Sequence, residues 1–243
     1  MRIIISPAKK MRVDKDTFPV RTTPEFLDRA LYLQSLLRTL DRDGLKKVWA
    51  CSDKLLDKSS EFLSYDLERA LTPALISYDG IQYQYMAPSV FTSSELDYLS
   101  SRLRIISGFY GVLRPFDKVA PYRLEMQANF PSKGGLYAYW KDLIYKSVID
   151  ESRVILNLAS EEYAKAIRPY LKKDDIFIDF YFAEKDGDKL VEKGVYAKIA
   201  RGEMVRHLAN VESDDLDVVK NFNATGYVFS KEHSSQNRFV FIR

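Results

Sequence analysis

Four short segments gather side chains able to do chemistry. The densest is 104–126, where Gly108 and Gly111 flank Phe109 and Tyr110, and Pro115 and Pro121 stiffen the path that follows. Five basic residues and one acid, Asp117, lie from 102 to 123. A glycine-rich turn after a strand lets backbone N–H groups approach an anion. Arg114 and Arg123 then offer forked contacts to phosphate or carboxylate, and pairing with acids such as Glu125 is the structural alternative. The segment lacks the Gly-Lys-Ser/Thr ending of a P-loop and the spacing of a dinucleotide fingerprint. The second segment, Ser6-Pro7-Ala8-Lys9-Lys10, follows an apolar run, where α/β sheets often form clefts. Lys9 or Lys10 faces an anion there, or the segment is a solvated turn. The third runs from Asn157 through Ser160 to Tyr163; Ser160 caps a helix and acids in the first turn suit its dipole. In the fourth, 196–206, Lys198, Arg201 and Arg206 line one helix face, for phosphate contact or for solvent. Tyr122 and Tyr196 offer faces on which bases stack.

Several other chemistries find little support. His207 and His233 lack metal-ligand spacing and cysteine partners. Asp214, Asp215 and Asp217 read as a helix start and not as a calcium loop. No Gly-x-Ser-x-Gly elbow occurs. Cys51, the one cysteine, sits beside Trp49 and Ala50 and reads as a buried small side chain, not a reactive thiol. No metal and no cofactor is expected.

The elements that must position these residues alternate along the chain. Residues 2–5 read as a buried strand ending at Ser6 and Pro7, and 13–23 as loop. Thr22 and Glu25 have capping-box spacing, with a helical stripe of Phe26, Ala30, Leu33, Leu37 and Leu40 beyond them. Residues 44–65 read as two or three helical pieces with a turn near Ser52 and Asp53. Residues 74–78 read as a strand broken at Asp79 and Gly80. Thr92 and Glu95 repeat the capping-box spacing before a helix to about Arg102. Ile105 and Ile106 form a strand ending at Gly108, 136–148 a helix, and 154–156 a central strand; another helix begins at Ser160. Alternation predicts a strand over 176–182, with a hairpin turn at 186–188 into 189–191. A helix over 196–210 and late strands at 227–229 and 239–241 complete the reading. Interleaved strands and helices without linkers or repeats predict an α/β (mixed α+β) fold, a mixed sheet flanked by helices in a single domain over 1–243.

The 243 residues are 46% hydrophobic and 29% charged, which excludes wholesale disorder and permits a sizeable core without disulfides or metals. No apolar run approaches the roughly 18 residues of a membrane span, so no membrane partner is expected. Lys9, Lys10 and Arg12 follow the first apolar residues at once, unlike a signal peptide, and one cysteine suits a reducing cytoplasm. A net charge of +3 places any nucleic-acid binding in a local patch.

Taken in order, Ser-Pro-Ala-Lys, Ser-Gly-Phe-Tyr-Gly-Val-Leu-Arg-Pro, Pro-Tyr-Arg-Leu-Glu-Met, Asn-Leu-Ala-Ser-Glu-Glu-Tyr and Ala-Lys-Ile-Ala-Arg-Gly resemble the YaaA peroxide-stress family, also called UPF0246. The resemblance spans essentially the whole chain. It implies a cytoplasmic bacterial protein tied to hydrogen peroxide resistance and low free iron, with an unusual α/β topology, a basic cleft and DNA binding. It also implies a helix-hairpin-helix element at about 45–65, with Lys54 and Lys58 near phosphate and the turn at 55–59. Asp57 stands there where a glycine is expected, and an aspartate repels phosphate.

Two functions compete. One is a DNA-binding stress protein whose basic clusters converge on duplex, bubble or single-stranded DNA without sequence specificity. The other is an enzyme acting on a small anionic, nucleotide-like or phosphorylated molecule. Ser6, Lys9, Lys10, Arg114, Tyr122, Arg123, Asn157, Ser160, Lys198 and Arg201 are the anion-binding candidates, with Glu125 as a base and Lys198 as an electrophile. Direct iron binding would have to rely on carboxylates.

Overall fold

The apolar runs near 3, 105, 156 and 180 lie side by side. The computed structural model describes residues 1–132, 134–187 and 189–243. Its strands are β1 (Arg2–Ile5), β2 (Thr72–Pro73), β3 (Leu103–Ser107), β4 (Gly111–Leu113), β5 (Lys118–Val119), β6 (Val154–Leu158), β7 (Ile176–Asp186), β8 (Lys189–Val191), β9 (Val228–Phe229) and β10 (Arg238–Ile242). The main sheet has the order β4-β3-β1-β6-β7-β10-β9, with β8 added to β7; β2 and β5 pair separately. Strands β3, β1, β6, β7 and β10 are mutually parallel, and β4, β8 and β9 join antiparallel. This is the expected mixed sheet of one α/β domain.

A parallel sheet is covered on both faces, which is why its strands read as continuous apolar runs. Ile3, Ile4, Ile5, Ile105, Ile106, Ile155 and Leu156 are all fully buried. The ladder fixes which ends meet. Ile5 pairs with Ile105 on one side and Leu158 on the other, so β1 and β6 end together, at Ser6 and Ala159. The chain first builds outward from β1 to β3 and then crosses back to place β6 on β1's other side. A crevice outside the carboxyl ends of strands at such a reversal is where open α/β sheets bind ligands.

Two helices close this crevice. The 18-residue helix Gly194–Val211 crosses the short helix Ile81–Met86 at Gly202. A Cβ at Gly202 would stand 2.2 Å from the Gln82 carbonyl oxygen, so only glycine permits the approach.

Some expectations are corrected. Thr22 and Glu25 form no capping box: the helix is Leu27–Arg38, its N-cap is Phe26, and Thr22 is held in a bridge with Asp117. Glu25 instead accepts a hydrogen bond from the Ser147 hydroxyl at 2.6 Å. Residues 74–77 are a buried helical turn, not a strand. The expected helix over 136–148 is two, Gly135–Trp140 and Leu143–Val148, broken at Lys141, whose φ is +48°. The hairpin turn expected at 55–59 lies inside the helix Asp53–Ser60, and the bend after helix Arg42–Trp49 falls at 50–52, with Ala50 left-handed at φ 43°. Asp57 therefore replaces no turn glycine; its carboxylate pairs with Arg42. Cys51 is half-buried against the core. The β7–β8 turn has Gly187 at φ +59°, while Asp188 lies outside the described residues. The capping box Thr92–Glu95 and the central place of β6 are as expected.

Candidate functional site

The end of β1 is pinned by hydroxyls. Ser6 Oγ accepts the Ser160 N–H at 2.8 Å and lies 3.3 Å from Ser160 Oγ, while the Tyr83 hydroxyl donates to the Ser6 carbonyl at 2.9 Å. Ser160 holds the N-cap position of helix Glu161–Ala164, yet its side chain caps nothing and turns to Ser6. Asn157 is buried one layer behind. Its Oδ1 accepts the Ala159 N–H at 3.0 Å, and its Nδ2 donates to Asp179 at 2.7 Å. Arg168 grips Asp179 from the other side at 2.7 and 2.9 Å. Asn157 therefore braces the loop that presents Ser160 and does not line the crevice.

The second wall is the segment around Tyr122–Glu125. It presses on Gly108, where a Cβ would lie 2.7 Å from the Leu124 carbonyl oxygen. Behind it runs a chain of hydroxyls. Ser107 Oγ accepts the N–H groups of Phe109 and Tyr110 at 3.1 and 2.9 Å, so its proton points to the Tyr122 hydroxyl at 2.7 Å. That leaves Tyr122's own proton for Tyr78, 2.9 Å away. Burial pushes the Tyr122 phenol up to about 12. Tyr122 also stacks on Phe109 with centroids 4.9 Å apart, so the ring is core and its face is not free for a base.

Helix Gly194–Val211 supplies the third wall, with Lys198 and Arg201 one turn apart on the face toward the crevice. The result is a cleft of about 420 Å³, within the range of small-ligand sites. Five basic side chains line it, Lys9, Lys10, Arg123, Lys198 and Arg201, against the acids Asp79, Glu125 and Glu162. Most of this charge is already paired. Lys9 meets Glu125 at 2.9 Å, Arg123 meets Glu125 at 3.4 Å, and Lys10 meets Asp79. Arg201 reaches Glu192 only at 3.5 Å, and Lys198 makes no ion pair among the described residues.

Two guanidinium groups stand out. The Arg123 and Arg201 side chains are 10% and 14% exposed, and the Nε of each is buried without a hydrogen-bond partner. A buried, unsatisfied charged donor is expensive, and a bound anion would relieve it. Burial also draws the Arg201 guanidinium below its usual value, the mark of a site short of negative charge. Opposite them, burial and then the Glu125 charge raise the Glu162 carboxyl. One Glu162 oxygen accepts the Gln127 N–H at 3.2 Å.

The structure thus brings together Ser6, Lys9, Lys10, Tyr122, Arg123, Glu125, Ser160, Lys198 and Arg201. It leaves Arg114 out. Asp117, buried in the loop after β4, holds that guanidinium at 3.0 and 3.2 Å, and the Thr23 carbonyl takes another N–H. Arg206 lies beside a separate depression, and Arg102 is forked to Asp214. Lys54 and Lys58 are exposed on helix Asp53–Ser60 and do not line the cleft. Glu162, Tyr163 and Asp79 line it without having been singled out as site residues from sequence. The adjacent acids 161 and 162 point apart: Glu161 pairs with Arg168 at 3.1 Å, while Glu162 faces the cleft. No cluster of three or more His, Cys, Asp or Glu side chains suited to a metal occurs among the described residues, and none of their helices is long and apolar enough to cross a membrane.

A family model described as peroxide stress protein YaaA matches residues 1–233. A UPF0246 protein of Agathobacter rectalis is 47% identical over 246 aligned residues, covering 100% of this chain and 99% of the relative. One from Lactiplantibacillus plantarum is 49% identical over 245, covering 100% and 99%. One from Desulfitobacterium hafniense is 45% identical over 246, covering 100% and 98%.

Proposed function

This chain belongs to the peroxide stress protein YaaA family, whose relatives carry the name UPF0246, and from that membership we propose that it serves defence against hydrogen peroxide in the cytoplasm by holding a phosphorylated, nucleotide-sized unit in the cleft. The observation that carries this reading is the pair of largely buried arginines, Arg123 and Arg201, that line the cleft with incompletely satisfied guanidinium groups. Arginine forks match phosphate oxygens, and a phosphate there would gain two charge-assisted hydrogen bonds otherwise unmade. The volume suits one nucleotide. DNA accordingly enters as a single unpaired nucleotide of a bubble or a free strand, and a free nucleotide-like substrate enters alone. The helical pair over 42–60 has no part in this reading, because none of its residues lines the cleft.

Fluorescence anisotropy with labelled duplex, bubble and single-stranded DNA, each competed with nucleoside 5′-monophosphates, tests it. The expected order is bubble and single strand above duplex, with free nucleotide displacing the strand. Arg123→Gln with Arg201→Gln should weaken binding by roughly 100-fold, the loss of two charge-assisted bonds. Cells lacking the chain should regain peroxide resistance and low free iron from the wild type and not from the double variant. Binding unchanged by the double substitution would refute the reading.

A further inference from the structure

The two carboxyl groups of the cleft are placed for different work. Lys9 and Arg123 flank Glu125 at 2.9 and 3.4 Å, two ion pairs on one carboxyl group. Glu162 makes no ion pair among the described residues, accepts the Gln127 N–H at 3.2 Å and is also approached by the Met126 N–H. It sits half-buried beside Glu125, next to Tyr163 on its own helix, and its other neighbours there are turned away. Glu161 binds Arg168, and the Tyr137 hydroxyl takes the Glu162 carbonyl at 2.8 Å. Of the remaining charges on the cleft walls, Asp79 is bound to Lys10, Arg201 approaches Glu192, and Lys198 lies on the third wall. Two carboxyls in one cleft, one gripped by two cations and the other half-buried without an ion pair, are suited to the two roles of an acid–base pair.

The nature of the reacting atom follows from charge. Carboxylates beside a phosphorus under attack repel both the phosphoryl oxygens and the incoming nucleophile. Beside a sugar carbon that becomes cationic, the same carboxylates stabilise it. The arginines therefore hold a phosphate that does not react, and the acids face the sugar.

We infer that the cleft hydrolyses the bond between sugar and base of a nucleoside 5′-phosphate unit, with Glu162 as proton donor to the leaving base and Glu125 as base toward water. The water oxygen bonds to the anomeric carbon as the carbon–nitrogen bond breaks. The bonding pair leaves on the base nitrogen, which takes the Glu162 proton, and Glu125 takes the proton released by water. One water is consumed, and the products are the free base and the sugar phosphate; proton exchange with solvent resets the two carboxyls. The inference rests on the binding function proposed above.

Full-length protein is incubated with each nucleoside 5′-monophosphate and, separately, with single-stranded DNA, and free base is quantified by chromatography. The two arms separate a free nucleotide from a nucleotide within a strand. Base release is expected from at least one arm, falling about 100-fold or more in Glu162→Gln, as for loss of a general acid. Ligand affinity of that variant should stay near wild type, and its thermal stability should not fall below it. Glu125→Gln should also lower release, and Glu162→Gln should remove the basic limb of the pH–rate profile. Lys54→Ala, outside the cleft, should leave release unchanged. Binding without base release in either arm, or release unaffected by Glu162→Gln, overturns the catalytic inference and leaves the binding function standing. Absence of binding in both arms overturns the two together.

Discussion

The contrast between Glu125 and Glu162 shows how neighbours, not residue type, assign roles. Glu162 carries a measurable signature in the folded state. Its carboxyl is raised by burial first and by Glu125 second, whereas the unfolded chain titrates it at the ordinary value. Between those two values the folded protein binds more protons. The corresponding stability is fully present below the ordinary carboxylate value and is lost as pH rises through the raised one. Glu162→Gln is neutral throughout, so the variant should match the wild type under acid conditions and exceed it at neutral pH. Urea unfolding from about pH 4 to about pH 7 checks this, and curves that stay parallel would contradict it. Arginine chemistry is equally specific at 123 and 201. A lysine there keeps the charge but has no Nε fork, so Arg201→Lys should lose most of the affinity for a phosphate-bearing ligand. Titration with inorganic phosphate or a nucleotide, followed by calorimetry, reads that loss, and full retention would show that charge alone suffices.

At the scale of elements, the cleft depends on three places where backbones approach too closely for a side chain. Gly80 meets Ala8, Gly108 meets the backbone of the loop at 124–126, and Gly202 meets Gln82. Gly202→Ala places a Cβ 2.2 Å from a carbonyl oxygen held in a helix. Overpacking of this kind costs about 3 kcal/mol, and the helix propensity of alanine returns about 1, for a net loss near 2 kcal/mol. Chemical denaturation measures it; an unchanged midpoint would mean the two helices slide apart freely. Such approaches explain what could be read in advance and what could not. Ile3–Ile4–Ile5 and Val154–Ile155–Leu156 announce buried parallel strands because both their faces are covered. Thr92 and Glu95 cap their helix locally, and that pattern is complete within four residues. Thr22 has the same spacing, but its backbone is claimed by Phe116 and Lys118, far along the chain. Residues 74–77 are too short an apolar run to tell strand from helix. The convergence of Ser6, Arg123, Ser160 and Arg201 depends on strand order, which no local spacing encodes. Arg114 looked equivalent to Arg123 until Asp117, three residues on, folded back on it.

Over the whole molecule, much of the arginine charge is spent internally. Arg102, Arg114, Arg168 and Arg243 each close on an acid, and the surface keeps a net charge of only +3. If Arg123, Arg201 and Lys198 are the cations that meet the strand, about three phosphates are neutralised. The logarithm of single-strand affinity should then fall against the logarithm of salt with a slope near −2. Anisotropy across a salt series tests this, and a slope of about −5 or steeper would require an extended groove. The sheet order has one more consequence, which concerns synthesis. Strand β1 is made early but occupies the middle of the sheet, between β3 and β6. Its partners Leu103 and Ile155 are translated about 100 and 150 residues later, roughly 5 to 30 seconds at ribosomal speeds. During that interval Ile3, Ile4 and Ile5 have no strand to pair with, and the nascent chain carries a sticky, unshielded segment until the middle of the protein has emerged. The cleft comes later still, because Arg201 arrives after every strand of the parallel core except β10.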